Sequence, residues 1–208
     1  MKRYIFLSII MLSIFLVSCS SQNSETNQEK EKYQTTVQAQ LDAFSKKIDA
    51  LSAEAEKMGA TVATQLSQSV DGLKIQDKTI NEQLDKLNKA GTESWKELKP
   101  SIDQAMDKLE QDYQQVHQQV AEARVNQLDD QIKELRVKAE ETGMELSPEL
   151  AKTIRELETQ RQNTGEQLAQ LTDASTAAWE DIQAGLETVL ANLEKAYQQA
   201  LTRFEETS

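Results

Sequence analysis

The segment Leu41–Gly59, LDAFSKKIDALSAEAEKMG, returns 84 positions later as Val125–Gly143, VNQLDDQIKELRVKAEETG. The matching positions include Ile48/Ile132, Leu51/Leu135, Ala55/Ala139 and Gly59/Gly143. Carried onward without a gap, the same offset lays Leu41–Arg124 on Val125–Ser208. It matches Leu66/Leu150, Leu73/Leu157, Leu84/Leu168, Leu87/Leu171, Trp95/Trp179, Leu109/Leu193 and Tyr113-Gln114-Gln115/Tyr197-Gln198-Gln199. A quarter of the positions are identical in one register, which chance similarity between helices rarely sustains. The chain is therefore expected to hold two 84-residue copies. Each is longer than a short solenoid unit and is expected to be a helical hairpin, or most of one.

From Val37, just ahead of the quoted stretch, the apolar residues Val37, Leu41, Phe44, Ile48, Leu51, Ala55 and Met58 alternate in steps of four and three, a heptad seam. Gly59 is placed to end it as a left-handed C′ residue. A second seam runs through Leu66, Val70, Leu73, Ile80, Leu84 and Leu87. It resumes at Leu98, Ile102, Leu109, Tyr113, Val116, Val120, Leu128, Ile132, Leu135 and Ala139. Gly143 then repeats the role of Gly59, and Ser147-Pro148-Glu149 supplies an N-cap, a proline at N1 and an acid in the first turn. The last seam runs from Leu150 to Phe204. With two prolines, six glycines and 5% aromatic residues, the composition is all-α.

Each seam residue gains about 1.5–3 kcal/mol on burial, whereas an isolated helix gains little from propensity, so the helices must pair. Because the seam stays nearly in phase past residue 90, elongated antiparallel hairpins are expected. Their middle helix would run unbroken over 64–142, about 118 Å at 1.5 Å per residue. The alternative is a compact helical bundle, with breaks at Gly91-Thr92, ahead of Pro100, and at Asp173–Thr176.

Ahead of the helices, Lys2 and Arg3 precede Tyr4–Val17, an apolar run broken only by Ser8 and Ser13. It falls short of the ~20 residues that span a bilayer and has the form of a signal-peptide core. Leu16-Val17-Ser18-Cys19 follows, and Cys19 is the single cysteine of the chain. These four residues resemble the lipobox of bacterial lipoproteins. That resemblance implies cleavage before Cys19 and acyl chains (diacylglyceryl, palmitate-like) on it; two or three chains together anchor stably. Ser20–Glu29 is polar and is expected to be a tether without structure, holding the first helix roughly 15–20 Å from the bilayer. The expected organisation is a signal peptide over 1–18, a lipidated tether over 19–29, repeat 1 with its lead-in over 30–124 and repeat 2 over 125–208.

The net charge is −12, and without Lys2 and Arg3 the balance is 21 basic against 35 acidic residues, near −14. Such a chain repels nucleic-acid phosphates and anionic headgroups, so no nucleic-acid partner is expected. The expected partners are the membrane, through Cys19, and a protein or a second copy through the heptad faces. His117, the lone histidine, has no companion at metal-ligand spacing and is expected on a helix surface. No glycine-rich phosphate loop, nucleophile elbow or calcium loop occurs, so no cofactor, metal or enzymatic activity is expected. The repeat-related Trp95 and Trp179, with Tyr113 and Tyr197, are either a paired aromatic ligand position or fillers of the helix–helix seam. Seam filling is the favoured expectation.

The tail Trp179-Glu180-Asp181-Ile182-Gln183-Ala184-Gly185-Leu186, through Tyr197 to Arg203-Phe204, resembles bacterial coiled-coil proteins of the kind first noticed in cyanobacterial stress responses. That resemblance implies a role in envelope or stress physiology. Two functions fit these features: an anchored spacer, scaffold or interaction protein, and a lipid- or amphiphile-binding module whose hairpins open. The second lacks a lysine-rich border along the apolar faces.

Overall fold

Gly91 falls in line with the seam of Leu84 and Leu87 but has no side chain to bury, and there the middle helix breaks. The computed structural model describes residues 22–91, 94–141, 148–172, 174 and 176–207. Among them are five α-helices and no strand: α1 (Gln22–Ala55), α2 (Ala60–Lys89), α3 (Ser94–Glu141), α4 (Pro148–Thr172) and α5 (Thr176–Thr207). The unbroken helix expected over 64–142 is thus corrected. A glycine inside a helix costs about 1 kcal/mol relative to alanine. Turning back also lets the first half of α3 bury its seam against both α1 and α2 instead of one partner.

The break is well capped. Ala90 is extended (φ −73°, ψ 143°) and its N–H returns to the Leu87 carbonyl. Lys30, from α1, donates through Nζ to the carbonyls of Asn88 (3.0 Å) and Ala90 (2.7 Å). A cation there satisfies orphan carbonyls and complements the helix dipole. The Trp95 N–H, bonded to the Gly91 carbonyl at 3.2 Å, starts the next helix. The matching interruption comes after Thr172, where the Ala174 N–H bonds to the Leu171 carbonyl at 3.3 Å. Both breaks of the bundle alternative are therefore present.

The long helix α3 is shared. Its first half packs with α1 and α2, its second half with α4 and α5, making two three-helix bundles threaded on one helix. Helices α1, α3 and α5 run in the same direction, since Tyr33 faces Asp103 and Glu54 faces Arg124, while Tyr113 faces Gln183 and Arg124 faces Glu194. At 48 residues α3 is about 72 Å long, not the ~118 Å expected. No Cα of α1 lies within 8 Å of a Cα of α5, so beyond α3 itself the bundles meet only through side chains.

The core is continuous, with Leu41, Leu109, Leu186, Leu190 and Leu193 fully buried. Positions 84 apart share their burial: Ile48 and Ile132, Leu73 and Leu157, Leu87 and Leu171 are all buried. Two local expectations change. Gly59 is the N-cap of α2 at φ −57°, not a left-handed C′ residue, because α1 has already closed through Lys57 and Met58 N–H bonds to Glu54 and Ala55. Residues 22–29, expected as a tether, are the first turns of α1. Their Gln and Glu favour helix once the docked segment from Lys30 onward nucleates one. Pro148 does open α4, as expected of a proline at N1, while Gly143 and Ser147 lie outside the described residues.

Truncating Leu109 to alanine, at a fully buried site, should cost about 2–5 kcal/mol. The same change at Ile75, 66% exposed, should stay within about 0.5 kcal/mol. Urea midpoints of the two variants measure the difference.

Candidate functional site

Between Val120 and Leu128 the seam of α3 skips a beat, and Arg124 falls in the gap. At this level α3 meets α1 of one bundle and α5 of the other, which widens its buried face while Gln115, Gln119, Glu122 and Asn126 keep an exposed stripe. Arg124 is only 9% exposed and collects three carboxylates. Its Nη1 is 2.6 Å from Glu187 Oε2 and 3.5 Å from Glu54 Oε2, and its Nη2 is 3.0 Å from Glu194 Oε1. The Nε atom also donates to Glu194, at 3.1 Å. One guanidinium thus ties a residue of α1 to two of α5.

His117, one turn before Val120, joins the cluster. Expected on the surface, it is only 3% exposed, because the face of α3 that a two-helix pairing would leave open is covered here by α5. Its Nε2 lies 3.2 Å from Glu187 Oε1, and its ring packs edge-on against Trp179 at 5.3 Å. Tyr113 stands beside both, 6.0 Å from His117 and 5.8 Å from Trp179, and its hydroxyl accepts a bond from Gln183 Nε2 at 3.3 Å. Phe44 of α1 completes the cluster edge-on to Tyr113 at 5.8 Å, and Lys47 reaches Glu180 at 3.1 Å.

A parallel arrangement sits 84 residues earlier. Tyr33 packs on Trp95 at 6.1 Å and donates to Asp103 at 2.8 Å, as His117 packs on Trp179 and meets Glu187. Trp95 and Trp179 are therefore in separate places, both buried in helix seams, one at the outer end of the first bundle and one where the bundles meet. Tyr113 is brought to Trp179. Tyr197, also buried, lies farther along α5, beside a cleft of about 300 Å³ that also borders Glu54, Lys57, Arg124 and Glu194. Cys19 lies outside the described residues.

The charges are unequal in strength. Burial and the nearby Glu187 hold the Glu54 carboxyl above its usual range, against the pull of Arg124, His117 and Lys57. Burial pushes Glu187 the same way, but the hydrogen bonds from His117 and Arg124 outweigh it and hold Glu187 below the usual range. Burial opposes the charge on Arg124, yet the three glutamates hold its pKa above the ordinary value, so it stays charged. Burial, aided by Glu54, Glu187 and Glu180, raises Tyr113 against the bond from Gln183. Among the described residues no grouping of His, Asp and Glu could hold a metal ion, and no helix is long and apolar enough to cross a membrane.

Compared with known protein families, curated proteins and solved structures, the chain matches none. The sequence reading missed Arg124 and its glutamates. The available signals were the gap in the seam and the 84-residue shift that carries Tyr33 to His117 and Asp103 to Glu187.

Replacing Arg124 with methionine leaves three facing carboxylates without their cation, at a cost of about 2–3 kcal/mol after allowing for their partial exposure. Adding Glu187→Gln to that variant should recover part of the loss. A double-mutant cycle on thermal unfolding gives the coupling directly.

Proposed function

We propose that the protein is a lipid-anchored helical scaffold of a bacterial cell envelope, acting as a spacer or interaction surface, with a role related to stress physiology. The observation that carries this reading is the order of its parts: a lipobox-like Leu16–Cys19 directly precedes two bundles threaded on one helix of about 72 Å. An acyl anchor on Cys19 would fix one end of the rod at the membrane and hold its far end several nanometres away. The apolar seams are directed inward, which favours a rigid spacer over a module that opens onto lipid. The acidic balance adds repulsion from anionic headgroups, leaving attachment to the acyl chains.

Two measurements test this. Cys19→Ala should move the protein from the membrane fraction to the soluble one. The chain from Ser20 onward should scatter as a rod with a maximum dimension of about 80 Å, set mainly by the length of α3, and should not sediment with liposomes. Membrane retention of the Cys19 variant would remove the anchor. Liposome binding by the chain from Ser20 would favour the amphiphile-binding reading instead.

A further inference from the structure

We propose that the Arg124 cluster is a proton-operated joint between the two bundles, drawn tight when it takes up one proton and released when Glu187 itself is protonated. The geometry confines the effect to side chains. The backbones of α1 and α5 stay apart, and what links them is Glu54–Arg124–Glu187, the Lys47–Glu180 pair and the contacts of Phe44 through Tyr113 to Trp179.

The charge count of the joint does not close. Three carboxylates face one guanidinium, leaving two negative charges in excess with His117 neutral and one with it protonated. The groups around the cluster come from three elements. Helix α1 brings Glu54, Lys57 and Lys47; α3 brings Arg124, His117 and Tyr113; α5 brings Glu180, Glu187 and Glu194. Among the described residues, no charged side chain of α2 or α4 pairs with the cluster. The weak leg is Glu54, which meets the guanidinium at 3.5 Å while repelling Glu187. Removing its charge relieves that repulsion and leaves the shorter Glu187 and Glu194 contacts in place.

The two glutamates therefore act with opposite sign. Glu54, raised in the folded chain, binds its proton more tightly there than in the open state. The joint therefore gains stability as pH falls from above the folded Glu54 pKa toward the ordinary 4.5. Glu187, depressed in the folded chain, contributes stability above 4.5 that is lost as pH falls through its lower folded value. Stability of the joint thus peaks in mild acid and declines on both sides.

Amide hydrogen exchange on the full-length protein tests this, with rates corrected for the intrinsic effect of pH. Residues 180–194 of α5 and 47–55 of α1 should be most protected in mild acid and lose about threefold or more by pH 8. Glu54→Gln should abolish the decline toward pH 8, and Glu187→Gln should abolish the decline in strong acid while lowering protection at neutrality. Flat protection from pH 4 to 8 in the unaltered protein overturns the proposal, as does an unchanged slope in Glu54→Gln. So does a change shared equally by residues 78–85 of α2, away from the joint, because the effect would then belong to the whole fold. Both variants keep Arg124, so neither strands an unpaired cation.

Discussion

Everything in this fold depends on α3 having to satisfy two bundles at once. A helix in an ordinary pair buries one stripe and leaves the rest wet. In its middle third α3 is enclosed by α1 and α2 from one bundle and by α5 from the other, so residues on several of its faces lose water together. Val116, His117, Val120, Ala121, Arg124 and Val125 are all buried there, a run too dense for a single heptad seam. An all-apolar surface at that level would leave a fully hydrophobic belt on a helix that, before α4 and α5 dock, has only α1 and α2 to cover it. The polar residues at 117 and 124 interrupt that belt.

The interruption has a cost and a use. A buried guanidinium is desolvated, and a pair of buried charges is weak evidence of net stability. What Arg124 supplies is selection of one arrangement. Three carboxylates converge from two helices whose backbones never approach, and only one sliding position of α1 and α5 along α3 brings all of them to the fork. The leucines would tolerate a shift by one heptad; the arginine would not. Register here is set by polar geometry, adhesion by the aliphatic seams on either side.

How much of this could be read from the sequence follows from what each feature depends on. The seams, the start of α4 at Pro148 and the all-helical character are local in origin, and each is visible in spacing or capping chemistry. The break at Gly91 was visible as a candidate. The choice between a straight and a folded-back helix turned on how many partners α3 would gain, a tertiary quantity that phase continuity misjudged. His117 was misplaced for the same reason: its isolation in the sequence says nothing of the second bundle that closes over it. Glu54, Glu187 and Glu194 look like any of the other glutamates until the bundles are assembled. Arg124 alone left a trace, as a charged residue four positions from both Val120 and Leu128.

Positions 84 apart differ where the joint forms. Shifted back by 84, Arg124 becomes Gln40, which is exposed on α1, and Glu54 shifted forward becomes Lys138, paired on the surface near the far end of α3. By contrast the ring contact and its carboxylate acceptor persist, as Tyr33–Trp95 with Asp103 and as His117–Trp179 with Glu187. The contact common to both bundles closes each bundle on itself, with a neutral phenol in one and an imidazole in the other. Arg124 and Glu54 are needed only where one bundle meets the next. Two bundles threaded on one helix have one such place, and neither Arg124 nor Glu54 has a like residue 84 positions away.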